Sequence, residues 1–243
     1  MPRTKTSHFT SFTRSLPSSV TYDLASSNHV LITLPAQSSW SSGVHWHNTH
    51  TEFLRVLKGT IYLLFEQEIH LIGPDAGTVV VETGVRHCWG RADSVIALSM
   101  SEQVADGRDG DVVVEERTDP VDGQKEVFFR NLNSVLLEPA LPHVPSWMDG
   151  LWKELLLLLI FATLDNYPVM LDLRKWGTPS TNLDRVLEKS IAVRSGRYVE
   201  KMSTYAVLRL AVVVGWILQI ESVSKEYTPD ELYTRWHSEP ERG

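Results

Sequence analysis

The sequence predicts a β-rich sandwich or small closed barrel followed by an α-helical extension, α+β overall. Three observations point there. Between residues 29 and 102, short runs of β-branched and aromatic residues recur with turn residues between them, at the spacing of an all-β domain. From residue 127 onward the apolar pattern takes a helical period. Between the two lies an acidic stretch, with nine acids against three bases over residues 102–126, which reads as a solvated connector. The expected organisation is therefore a flexible N-terminal arm (1–28), a barrel (29–102), an acidic linker (103–126) and a helical extension (127–243).

The arm is hydroxyl-rich, has no acid before Asp23 and spaces its apolar residues too sparsely for a period. It lacks the apolar core of a secretory signal, so a cytoplasmic protein is expected. Within the barrel, strands are expected at 30–34, 52–57, 60–65, 68–72, 78–81, 86–90 and 94–100, with the Gly73-Pro74 cluster as a turn. Val112, Val113 and Val114 can add a strand at the barrel edge. In the extension, Ser146 with Asp149 three residues on starts a helix running to about 165. Further helices are expected at 182–194 and 198–222, and a last one after Thr228-Pro229-Asp230-Glu231, where Thr caps and Pro takes the first helical position.

Composition narrows the function classes. A formal net charge of −7 offers no basic field for a nucleic-acid backbone, so no nucleic-acid partner is expected. The single cysteine, Cys88, excludes an internal disulfide and reads as a buried thiol. Residues 155–164 and 207–220 are strongly apolar, but a span needs roughly 20 such residues. Charged and polar residues (Lys153, Glu154, Asp165, Arg209, Gln219) interrupt both stretches. Membrane-surface attachment is not expected; these helices are expected to pack together, on the barrel or across a homodimer interface.

Chemistry concentrates in residues 43–59. His45 and His47 are two apart in an extended segment, so both imidazoles leave one face of a strand. Glu52 has the opposite parity, and the polar Asn48-Thr49 pair supplies a turn that brings it back. His87 follows Gly84 at the start of another extended run. One histidine beside a tryptophan is commonly structural. Three imidazoles and a carboxylate at these offsets are a metal-ligand set.

These residues resemble the cupin superfamily. The first cupin motif, His-x-His, three or four residues, Glu, six residues, Gly, is met by His45, His47, Glu52 and Gly59; the second by Gly84 and His87. Ser39, Ala76, Glu82 and Arg91 depart from the two motifs at positions that are not metal ligands in the family. The resemblance covers residues 29–102 and implies a jelly-roll barrel with one divalent ion. The donor set suits Fe(II), Mn(II), Ni(II), Co(II) or Zn(II), with Fe(II) or Mn(II) favoured. Dioxygenases, oxidases, isomerases and decarboxylases all occur on this fold. A single barrel with a helical tail is similar in style to cupins of fungal secondary metabolism, which implies an oxidoreductase, a dioxygenase among the forms it takes, acting on a small aromatic or polyketide-like substrate. A metal-dependent isomerase or decarboxylase, and a non-catalytic binding barrel whose tail serves a partner, stay open.

By strand parity Trp89 faces the side of His87, and Leu54 and Val56 that of Glu52, so these three are expected to line an apolar substrate pocket. His50 shares parity with Glu52. It is expected to orient that carboxylate, or to carry a proton near the substrate, or to be a turn residue facing solvent.

Overall fold

The computed structural model describes residues 3–66, 68–94, 110–140, 143–172 and 184–238, with the backbone alone for 184–195. Its strands are β1 (Ser11–Arg14), β2 (Val20–Asp23), β3 (Val30–Leu34), β4 (His45–Trp46), β5 (Thr51–Lys58), β6 (Ile61–Phe65), β7 (Glu68–Ile72), β8 (Thr78–Val81), β9 (His87–Arg91), β10 (Val112–Asp119) and β11 (Tyr167–Pro168). They form a six-stranded sheet, β1-β2-β3-β10-β5-β8, and a five-stranded sheet, β11-β4-β9-β6-β7, in which every described pairing is antiparallel. Among the described residues after β10 lie the helices α1 (Gln124–Leu137), α2 (Ser146–Thr163), α3 (Asp184–Ile217) and α4 (Asp230–Ser238). This is the expected β-rich jelly roll with a helical extension, α+β overall.

The core forms where the inward faces of the two sheets meet. Ile32, Leu34, Leu54, Val56 and Val114 come from the six-stranded sheet, and Ile61, Leu63 and Trp89 from the five-stranded one; all are almost fully buried. Along β5 and β10 burial alternates residue by residue, as a sheet with one face on a core requires. Gly59 turns β5 into β6 at φ 76°, and a Cβ there would lie 2.8 Å from Val112 Cγ2. Arg91 is buried at the end of β9, where Nη1 donates to the carbonyls of Leu34, Pro35 and Gly110. Cys88 is buried, as expected.

Residues 3–28 are not an arm. They dock, beginning with Thr4, whose N–H and hydroxyl donate to the Glu138 carboxylate. β1 and β2 extend the six-stranded sheet, Phe12, Val20, Tyr22 and Leu24 are buried, and Thr6 N–H donates to the Glu226 carbonyl. Sparse apolar residues suffice here because each strand is only four residues long and needs one or two inward side chains. Nor is 103–126 simply a linker. β10 lies between β3 and β5, in the middle of its sheet rather than at an edge, and α1 begins at Gln124. Of the acids counted there, Glu115 and Asp119 take outward positions of this strand, whereas Glu116 is turned inward and buried. The strand expected at 94–100 and the first part of the linker lie outside the described residues.

The helices differ from expectation in detail. α2 begins at Ser146 after Pro145, with no side-chain cap. α3 joins the two helices expected at 182–194 and 198–222, passing through Gly196. Thr228 accepts a hydrogen bond from Asn131 Nδ2, which ties α1 to the chain before α4. Arg86 on the barrel donates through Nη1 to both oxygens of Glu200 on α3, at 3.1 and 3.0 Å. The inner face of α3 carries Thr204, Leu208 and Ala211, all buried, whereas Val199, Met202, Leu210, Val213 and Ile217 stay exposed on its outer face. No described helix is long and apolar enough to cross a membrane.

Candidate metal centre

Four ligand-type side chains converge between the sheets. His45 on β4 pairs directly with His87 on β9, so their rings leave neighbouring positions on the inner face of the five-stranded sheet, with centroids 4.2 Å apart. His47 follows in the turn after β4. Glu52 comes across from β5 of the other sheet. One ligand atom from each of the four lies within 4.8 Å of the others, and all four residues are buried. Gly84, with φ 75°, donates its N–H to the His47 carbonyl at 2.6 Å and so ties the His87 loop to the first motif.

The second ring nitrogens decide what the imidazoles present. His45 Nδ1 lies 2.9 Å from the Gly43 carbonyl, His47 Nδ1 2.5 Å from that of Asp165, and His87 Nδ1 3.0 Å from that of Val85. A carbonyl only accepts, so each Nδ1 carries the hydrogen and each Nε2 faces the cluster, able to offer its lone pair. Within it, His87 Nε2 and Glu52 Oε1 are buried without a hydrogen-bond partner among the described residues. Buried polar atoms ordinarily find partners, and two orphans facing each other at 3.4 Å fit a cation between them. The donor set fits a divalent ion.

Burial, followed by the charges of His87 and His47, holds His45 well below the usual imidazole range. For Glu52, burial pushes upward, but Lys125 and the imidazoles outweigh it and hold the carboxyl well below the usual carboxylate range. Burial lowers His87, yet the Glu52 carboxylate raises it overall, so a proton and a metal ion compete for the same imidazole-carboxylate pair.

Sequence reasoning missed the residues behind this carboxylate. Lys125 Nζ donates to Glu52 Oε2 at 2.8 Å and to Glu116 Oε1. Glu116 comes from β10, diagonal to Glu52 across the β5 pairing. Burial, then the nearby charge of Glu52, raises the Glu116 carboxyl; burial lowers Lys125 but the two carboxylates raise it overall. One cation thus bridges two buried acids. Glu116 shares strand parity with Val112 and Val114, and that alternation was the signal available.

His50 does not orient Glu52 and does not face solvent. It is buried between two aspartates, Nδ1 donating to Asp165 Oδ2 at 2.8 Å and Nε2 to Asp122 Oδ2 at 3.0 Å. Both ring nitrogens donate, so the ring is a cation. Burial pulls it down, but the two carboxylates push its pKa up to about 9. Asp165 also accepts from the backbone N–H groups of Asn48, Thr49 and His50. The turn expected at Asn48-Thr49 is real, and a residue beyond the far end of α2 holds it.

A cavity of about 350 Å³ opens onto His45 and His47. Its wall is mainly aromatic and aliphatic: Tyr22, Trp40, Phe128, Phe129, Leu132 and Phe161 come from the N-terminal strands, the following loop, α1 and α2. Trp89, Leu54 and Val56 point inward as parity required, but they pack in the core between the sheets and are not among the lining residues. The cavity lies where the helices cover the barrel mouth, beyond the reach of those strand positions.

No protein-family model matches the sequence, and neither does any curated protein. Among solved structures the chain is similar to KdgF from Halomonas sp., with 12% identity over 44% of this chain and 84% of that one and a TM-score of 0.29. It is also similar to the capsular polysaccharide assembling protein CapF from Staphylococcus aureus, with 17% identity over 44% and 27% of the two chains and a TM-score of 0.31. A predicted oxalate decarboxylase from Thermotoga maritima aligns with 17% identity over 48% and 97%, with a TM-score of 0.33.

Proposed function

We propose that this chain is a metal-dependent enzyme of the cupin superfamily, an oxidoreductase that transforms a small, largely apolar or aromatic substrate in the cavity above the ligand cluster. The observation that carries this reading is the locking of all three imidazoles: each Nδ1 faces a backbone carbonyl, so three Nε2 atoms and the Glu52 carboxylate face one point. His45, His47, Glu52 and His87 would hold the ion, Fe(II) or Mn(II) first among the candidates. When bound, it would supply Lewis-acid or one-electron chemistry at the cavity floor.

The chain's own residues do the rest. Lys125 is a positioning residue that holds Glu52 Oε2 and keeps the carboxylate ionised. The aromatic wall excludes water and favours a flat apolar substrate over a sugar, whose hydroxyls would need polar partners. The Lys125-Glu116 pair beside the cavity supports a second reading, a proton-transferring isomerase or decarboxylase.

Metal analysis of the purified full chain, followed by a dioxygen-uptake screen on aromatic substrates, tests both. About one equivalent of iron or manganese, lost in His47→Ala, is expected. Substoichiometric metal in the parent after reconstitution would remove the proposal's basis; turnover without dioxygen uptake would select the second reading.

A further inference from the structure

Two cationic side chains outside the histidines line the cavity, Arg14 and Lys125, and they differ in one respect. Lys125 is neutralised by Glu52 and Glu116. Arg14 is not neutralised by any carboxylate among the described residues. Its Nε donates to the side-chain oxygen of Asn133 at 2.8 Å, a neutral acceptor, while Nη2 is buried with no hydrogen-bond partner. Burial lowers its pKa, and the group that offsets this is Tyr22 rather than an acid. A guanidinium nevertheless stays charged at physiological pH.

The group is also rigidly presented. Arg14 ends β1, its carbonyl accepts from Ser19 Oγ, and its guanidinium lies over the Tyr22 ring at 5.3 Å from the centroid. Tyr22 in turn packs on Phe129 of α1. Asn133 is fully buried and fixed by donating its Nδ2 to the Phe129 carbonyl. A flexible surface arginine would turn to water; this one is held with a free N–H edge in a cavity of aromatic walls. Arg14 is half-buried overall, but its Nη2 is shut off from water, and a guanidinium N–H buried without an acceptor is costly; such a site is completed by an anion that arrives with the ligand.

We infer that Arg14 anchors a substrate carboxylate, so that the substrate is an aromatic or otherwise apolar acid with its anionic group at Arg14 and its body along the aromatic wall of the metal cavity. This rests on the reading of that cavity as the substrate site and narrows the substrate class. A planar carboxylate accepts two parallel N–H bonds from a guanidinium, which a neutral amide of the same shape cannot do.

The test uses 2-naphthoate and 2-naphthamide as probes, titrated calorimetrically into the full chain, both metal-free after chelation and loaded with Mn(II). The parent should bind the acid at least about tenfold more tightly than the amide, the size of one charge-assisted contact, in both states. Arg14→Gln should abolish that preference by weakening the acid alone, with thermal melting confirming its fold. Should that variant not fold, Arg14→Lys, which keeps the charge and loses the fork, should weaken the acid and leave the amide unmoved. Equal affinities in the parent, or a preference that survives Arg14→Gln, would overturn the assignment. So would a preference that appears only with Mn(II) and vanishes in His47→Ala, since the carboxylate would then sit on the ion, leaving the metal reading intact. An Arg14-dependent preference in a chain that binds no Mn(II) would keep the anchor and remove the metal reading instead.

Discussion

The backbone carbonyl of Asp165 lies 2.5 Å from Nδ1 of His47, a residue 118 positions earlier in the chain. The same aspartate uses its carboxylate to hold the backbone of residues 48–50 and the ring of His50. Asp165 is thus the point at which the helical extension grips the ligand loop. Asp165→Asn, which suits the residue's positive φ of 47° but loses the charge, should destabilise the fold by about 2 kcal/mol and weaken Mn(II) binding about tenfold. Urea unfolding and metal titration measure the two; an unchanged metal affinity would show that the carbonyl alone sets the ring.

His47→Ala should strip the metal while leaving the barrel folded, because the sheets are held by burial between Ile32, Leu54, Leu63 and Trp89 rather than by coordination. Elemental analysis and a thermal melt check this, with metal content expected to fall below about a tenth of the parent value. Equal metal in mutant and parent would displace His47 from the ligand set.

His50 sets a pH dependence. Its folded pKa of about 9 lies above the unfolded value of roughly 6.5. The stabilisation it gives is therefore fully present below pH 6.5 and lost as pH rises through 9. The difference in melting temperature between the parent and His50→Gln should be largest near pH 6 and shrink steadily toward pH 9.5. A difference that stays flat over this range would mean the ring is neutral between Asp122 and Asp165.

Lys125→Met leaves Glu52 and Glu116 buried without their shared cation. Removing one partner of a buried ion pair costs about 3–5 kcal/mol. The double variant Lys125→Met/Glu116→Gln should recover much of this, since one of the two stranded charges is gone. Denaturant unfolding of the four proteins gives the coupling; strictly additive losses would show that the Lys125-Glu116 contact is not energetically linked.

Deleting residues 1–24 should lower the melting temperature by more than about 10 °C or prevent folding. The deletion removes Phe12, Val20, Tyr22 and Leu24 from the core, each worth about 1.5–3 kcal/mol, against a total stability of roughly 5–15 kcal/mol. A melting temperature unchanged by the deletion would return these residues to the status of a loose arm.

The ligand offsets were legible because metal binding fixes side-chain type, parity and turn position at once: His45, His47, Glu52 and His87 each had to satisfy all three. The cavity was not legible. Its wall comes from Tyr22, Phe129 and Phe161, residues brought together only by tertiary packing, and no local period places a side chain on α1 opposite one on β2. Strand parity identified Trp89, Leu54 and Val56 as inward but could not say whether inward meant core or cavity. Acid counting concealed Glu116, because a net charge over a segment averages the outward residues of β10 with the one that faces Glu52. Parity left His50 between the carboxylate side of the site and a solvent-facing turn, and neither reading named its two aspartates, which lie 72 and 115 residues away.

The clustered ligand-type residues and the aromatic wall of the cavity belong to different stretches of the chain. His45, His47, Glu52 and His87 sit on the sheets, whereas most of the aromatic wall stands on the N-terminal strands and the helices outside the motif region. On the proposed function, substitutions in α1 or β2 should therefore retune which molecules are admitted without disturbing coordination. In directed evolution, a library restricted to Tyr22, Phe128, Leu132 and Phe161 should yield altered selectivity at constant metal content, so this scaffold separates the inheritance of chemistry from the inheritance of taste.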